Sequence, residues 1–130
     1  MSSIAKAGAV VYAKDIARVS AFYSGVAGLE AVRSEADHVV LESPAFELFI
    51  VAVPEHIAAS IELADPPLRR TDTPIKLVFT VAKIDAVRAV ARSHGGELHP
   101  PERQWQFQGF RICDGHDPEG NIVQFRERVR

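Results

Sequence analysis

The sequence has one cysteine, one methionine and one tryptophan in 130 residues. With Cys113 alone no intrachain disulfide can form, and a reducing cytoplasm is the expected compartment. Long apolar runs are missing too. The two strongest, Ala7–Ala13 and Leu48–Pro54, are far too short to span a bilayer. The opening Met-Ser-Ser-Ile-Ala-Lys has no apolar core of the kind that marks a signal peptide. A formal net charge of −2 lacks the basic excess that nucleic acid or an anionic membrane attracts, so neither partner is expected. Eight Gly and eight Pro are too few for a collagen-like or low-complexity chain. No Gly-rich phosphate loop, Gly-x-Ser-x-Gly elbow or spaced acid pair is present. Gly95-Gly96 follows a helical pattern, whereas phosphate loops precede one.

What is present is an ordinary core-forming composition, 47% hydrophobic and 25% charged. One domain of this size buries roughly two thirds of its unfolded surface. Its charge is divided. Residues 1–65 carry 4 Lys/Arg against 9 Asp/Glu, and residues 66–130 carry 11 against 8. Opposite signs on the two halves favour their packing together, within a chain or between chains.

The chain repeats itself. Val10-Val11-Tyr12-Ala13-Lys14-Asp15-Ile16 leads into a helical pattern that stops at Gly28, and Val78-Phe79-Thr80-Val81-Ala82-Lys83-Ile84 leads into another that stops at Gly95-Gly96. A shift of 68 positions lays Ile16 on Ile84, Val19 on Val87 and Gly28 on Gly96. Strands are expected at Ala9–Lys14, Glu30–Ser34, Val39–Glu42 and Phe46–Val53, with a helix capped by Asp15 and faced by Ile16, Val19, Tyr23 and Val26. The second half repeats the pattern with strand Ile75–Val81, helix Ile84–His94, and strands Glu97–His99, Phe107–Cys113 and Asn121–Arg126. Asp117-Pro118-Glu119-Gly120-Asn121 reads as the turn before the last strand. The result is an α+β fold of two βαβββ modules, one over about residues 4–53 and one over about 75–130, joined by a proline-rich connection over 54–74. Within it Ile57–Ile61 has room for a helical turn, and Ile61–Leu63 with Arg69-Arg70 read more as linker than as a lid.

The tandem modules, the helix start Lys14-Asp15-Ile16-Ala17-Arg18 and the closing stretch from Gly109-x-Arg111 to Asp117-Pro118-x-Gly120-Asn121 resemble the vicinal oxygen chelate superfamily. This group includes glyoxalase I, bleomycin-resistance proteins and extradiol dioxygenases. The resemblance implies half-open sheets that together enclose a cavity, a homodimeric assembly, and in the enzymes one divalent metal. The metal ligands implied are a His on the first strand and a Glu on the last strand of each module.

Matched to that pattern, the four positions are Gly8, Glu47, Lys76 and Gln124. Only Glu47 is a good ligand, so no metal or other cofactor is expected. A small organic molecule is expected to bind in the inter-module cavity, with Glu47 and Lys76 as fixed polar anchors if they face each other. Gln124, Trp105, Arg111 and His116 are the other expected cavity residues, because aromatic faces stack on planar ligands and a guanidinium grips an anion through two hydrogen bonds. His38, His56, His94 and His99 have no ligand spacing. Cys113 reads as a small buried apolar side chain. A metal-dependent lyase or dioxygenase with atypical ligands, built on Glu47 and His116, is the alternative enzyme reading. A non-catalytic structural module is the third.

Overall fold

The computed structural model describes residues 5–130; the first four residues of the signal-peptide reading, the last of them the expected start of module one, lie outside them. Strand β1 spans Ala7–Ala13, and Asp15 then caps helix α1 (Ile16–Ala27) by accepting from the Arg18 amide at 3.1 Å. The helix ends at Gly28, whose φ of 66° is the left-handed stop that glycine reaches without strain. Strands β2 (Glu30–Ser34), β3 (His38–Glu42) and β4 (Phe46–Ala52) complete a sheet of order β1-β4-β3-β2, in which β1 and β4 run parallel.

After the short helix α2 (Glu55–Ala58), β5 (Leu77–Thr80), α3 (Ile84–Ser93), β6 (Glu97–Leu98), β7 (Trp105–Phe107), β8 (Phe110–His116) and β9 (Ile122–Arg128) build the second module. Its sheet has the order β5-β9-β8-β6, with β7 also paired to β8. The expected strand Phe107–Cys113 is thus two strands. Gln108 and Gly109 both take positive φ and turn the chain back in a two-residue hairpin, which Gln-Gly announces less clearly than Asn-Gly.

Helix α1 covers its own sheet and packs on α3, which covers the other. One core cluster serves both modules. Val19, Phe22 and Tyr23 of α1 join Leu41, Leu48 and Ile50 of the first sheet and Phe79, Val123 and Phe125 of the second. Phe79 bridges the halves, with its ring centroid 5.8 Å from Phe46 and 6.0 Å from Tyr23. The faces turned away from the helices stay open, and Val10, Tyr12, Val78, Trp105 and Phe107 are exposed.

A buried polar cluster locks the modules together. Asp117 Oδ1 accepts from the amides of Glu119 and Asn121, and Oδ2 from Tyr23 Oη at 2.8 Å and Asn121 Nδ2 at 2.8 Å. The Glu119 carboxylate accepts from the Lys14 and Asp15 amides, so module two completes the start of α1. Burial first, and the Asp117 carboxylate second, push the Tyr23 phenol well above its ordinary pKa. Helix α3 has no side-chain cap of its own, and Glu127 of β9 accepts from the Ile84 amide instead.

The candidate ligand cleft and open sheet face

Alternation along a strand sends every second side chain to one face. In the second sheet, Gln124 lies opposite Asp114, Arg126 opposite Ile112, and Ile112 opposite Trp105. These residues share the open face with Lys76 and Val78. They are linked. Lys76 Nζ pairs with Asp114 Oδ2 at 2.8 Å, Gln124 Nε2 donates to Asp114 Oδ1 at 3.1 Å, and Arg126 Nε donates to Gln124 Oε1 at 3.0 Å. Asp114 and Arg126 were not expected from sequence. Arg126 was within reach, since it follows Gln124 by two positions in the expected last strand. Asp114 fell one residue past the expected end of the strand before it.

The other expected residues divide. Trp105 stands exposed on the open face through its register with Ile112. His116 is on the same side of β8 as Asp114, but it is buried and its Nδ1 lies 2.9 Å from the Asp117 carbonyl oxygen. Arg111 leaves the group. It alternates to the helix-bearing side, where Nη1 pairs with buried Glu127 at 3.4 Å. Glu47 is in the first sheet, beside Gly8, and the partner of Lys76 is Asp114, not the Glu47 that a shared cavity wall implied.

The ladders also shift the correspondence between modules. Val10 pairs with Phe49 in the first and Val78 with Gln124 in the second, so the counterpart of Gln124 by register is Phe49 rather than Glu47. The divalent metal that the fold implies therefore does not fit these residues. Its positions hold Gly8, Lys76, Gln124 and either Glu47 or Phe49, and Lys76 carries the wrong charge. Among the described residues, no three His, Cys, Asp or Glu side chains come close enough to share an ion.

Space for a ligand opens where the modules meet. A cleft of about 440 Å³ is lined by Val10, Tyr12 and Tyr23 from module one and by Ile75, Lys76 and Ile122 from module two. A neighbouring hollow of about 290 Å³ shares Ile75, Lys76 and Ile122 and adds Arg69, Thr71, Thr73 and Asp114. The connection is tied down here. The Arg70 amide donates to the Gly120 carbonyl, and Arg69 Nη1 lies 3.2 Å from His99 Nδ1. Burial and the charges of Arg69 and Arg103 lower the His99 pKa, which suits a neutral ring accepting from Arg69. Cys113 is buried, and burial raises its thiol pKa, so it is an unreactive core residue.

No helix among the described residues is long and apolar enough to cross a membrane. No curated protein matches the chain. Solved structures do. A glyoxalase/bleomycin resistance protein/dioxygenase family enzyme from Burkholderia phytofirmans PsJN is 20% identical, with a TM-score of 0.66 over 96% of this chain and 100% of its own. A protein titled Oxidase ChaP-H2 is 18% identical, with a TM-score of 0.65 over 98% of this chain and 95% of its own. The bleomycin resistance determinant encoded on the transposon Tn5 is 16% identical, with a TM-score of 0.59 over 96% of this chain and 98% of its own. At these identities the likeness is one of fold. The family model described as Glyoxalase-like domain matches residues 8–125, nearly the whole chain, which therefore belongs to the glyoxalase-like family of the vicinal oxygen chelate superfamily.

Proposed function

We propose that this protein binds a small organic molecule in the cleft between its modules and along the open face of the second sheet, without a metal ion. The observation that carries this reading is the bonded chain Lys76–Asp114–Gln124–Arg126, which occupies the region where the family's enzymes place metal ligands. A fixed row of charged and amide groups beside an apolar cleft is suited to orienting a ligand. Among the described residues of this row, Lys76 and Asp114 are already paired with each other, so sequestration is favoured over turnover. A strongly cationic ligand such as bleomycin suits the Lys76 and Arg126 face poorly.

The protein acts in this reading as a cytoplasmic homodimer. Tyr12, at 62% exposure, and Phe107, at 52%, leave apolar surface on both open faces that a second copy would cover. The surplus of acid in the first half and of base in the second favours the first module of one copy packing on the second module of the other.

Thermal-shift screening against a metabolite library, run with elemental analysis of untagged protein, tests the proposal. Binding to the native state raises Tm in proportion to the logarithm of ligand concentration over Kd. The expected result is a ligand whose shift is diminished in Lys76→Ala and Gln124→Ala, in protein free of stoichiometric Fe, Ni, Zn or Mn. A stoichiometric metal lost in Glu47→Ala would instead establish the lyase or dioxygenase reading.

A further inference from the structure

The open face of the second sheet holds a charge that no described carboxylate answers. Arg126 is half-buried, its Nε is engaged by Gln124 Oε1, and among the described residues no carboxylate lies within 4.0 Å of its guanidinium. Across β5, β9, β8 and β7 the one carboxylate on this face is Asp114, already taken by Lys76 on one oxygen and Gln124 on the other. Asp114 thus cannot turn to Arg126 without releasing both. The Gln124 amide is fixed in sense by the same bonds, since a flip would set its NH₂ against the guanidinium and its oxygen against a carboxylate. Arg126 is consequently aimed and has its terminal amino groups to spare.

The residues beside it describe the rest of the ligand. Register places Trp105, Ile112 and Arg126 in one row on adjacent strands, so Trp105 lies roughly 10 Å from Arg126, two interstrand spacings. Ile112 between them is already covered by its neighbours, at 2% exposure, so only the rim of the row is open to a ligand. Trp105 is 43% exposed and free to meet a ring edge or face. The next row holds Phe107, Phe110 and Arg128, whose guanidinium already sits 4.8 Å over the Phe110 ring.

We propose that Arg126 anchors the carboxylate of a planar aromatic ligand of one or two rings, the ring lying against the exposed Trp105. The inference rests on the small-molecule reading given above and names its ligand class. A planar guanidinium with two free amino groups matches a carboxylate by two parallel hydrogen bonds. The backbone separation of roughly 10 Å along the row matches the length of a carboxylate joined to one or two rings.

The test is calorimetric and thermal-shift titration of the full chain with 2-naphthoate and 4-hydroxybenzoate and with their neutral amides, 2-naphthamide and 4-hydroxybenzamide. The acids are expected to bind about 10-fold or more tightly than the amides, and Arg126→Gln to remove that difference. Arg126→Lys, which keeps the charge but loses the fork, should fall between them and serves as the deciding variant if Arg126→Gln does not fold. Equal binding of acids and amides, or full acid affinity in Arg126→Gln, would refute the anchor while leaving small-molecule binding standing. Absence of binding by all four probes would refute the aromatic-carboxylate anchor, while the metabolite screen decides the reading it rests on. Sedimentation of the same variants supplies the last arm. If Arg126→Gln lowers the mass of the particle but keeps its affinity for the acids, the guanidinium serves a second copy and the proposal fails.

Discussion

Two hydrogen-bonded clusters of polar side chains, similar in size, sit in opposite surroundings. At the junction, Asp117 and Glu119 are almost wholly buried, and every carboxylate oxygen meets a donor from Tyr23, Asn121 or the backbone. On the open face, Lys76, Asp114, Gln124 and Arg126 form a chain that ends in an unanswered guanidinium. The difference teaches how to tell a clasp from a receptor. A satisfied polar cluster in low dielectric stabilises the fold through its completeness, whereas a cluster exposed at one end contributes little to stability and has capacity left over.

Substitutions should separate the two by size of effect. Asp117→Ala strands the Tyr23 hydroxyl and two amides in the interior and should lower the unfolding free energy by about 3 kcal/mol or more in urea titrations. A loss under about 1 kcal/mol would mean that water replaces the carboxylate easily and the clasp is unimportant. Tyr23→Phe, which removes one partner only, should cost about 1–2 kcal/mol at neutral pH. It carries a pH signature as well. Because the folded phenol is raised above the ordinary value of 10.0, its contribution is intact below pH 10 and is lost as pH rises beyond it. Urea midpoints of the wild type should therefore fall above pH 10, and the phenylalanine variant should lose that part of the slope.

Much of this layout was legible in the sequence. The 68-residue shift, the Asp15 cap and the Gly28 stop gave both modules and their helices, because each signal is local in the chain. The clasp was not legible, since Glu119 caps a helix that begins about a hundred residues earlier and no local pattern announces it. The open face was half legible. Alternation puts Arg126 with Gln124 once the strand is known, but Asp114 depended on where β8 ends, and Arg111 was credited to a face that its odd position in the strand denies it.

On the open face the effects should be smaller in stability and larger in binding. Gly8→His would restore one imidazole of the family's metal set, yet a Cβ there would meet the Glu47 carbonyl oxygen at 2.8 Å. It should cost about 1–3 kcal/mol in denaturant titrations and bring no stoichiometric metal by elemental analysis. Lys76→Met breaks a half-exposed ion pair and should change stability by less than about 1 kcal/mol. The same variant should still diminish the Tm shift of any ligand held in the cleft. If it instead unfolds the protein, the contrast between clasp and receptor collapses.

The carboxylate of Glu119 also sets an order of events during synthesis. Module one leaves the ribosome without the acceptor that finishes α1, and it waits for a side chain made about a hundred residues later. A chain cut between its two halves would leave the leading piece with unanswered amides at the start of its only long helix. Sequence repetition thus survives in a molecule whose repeats complete one another.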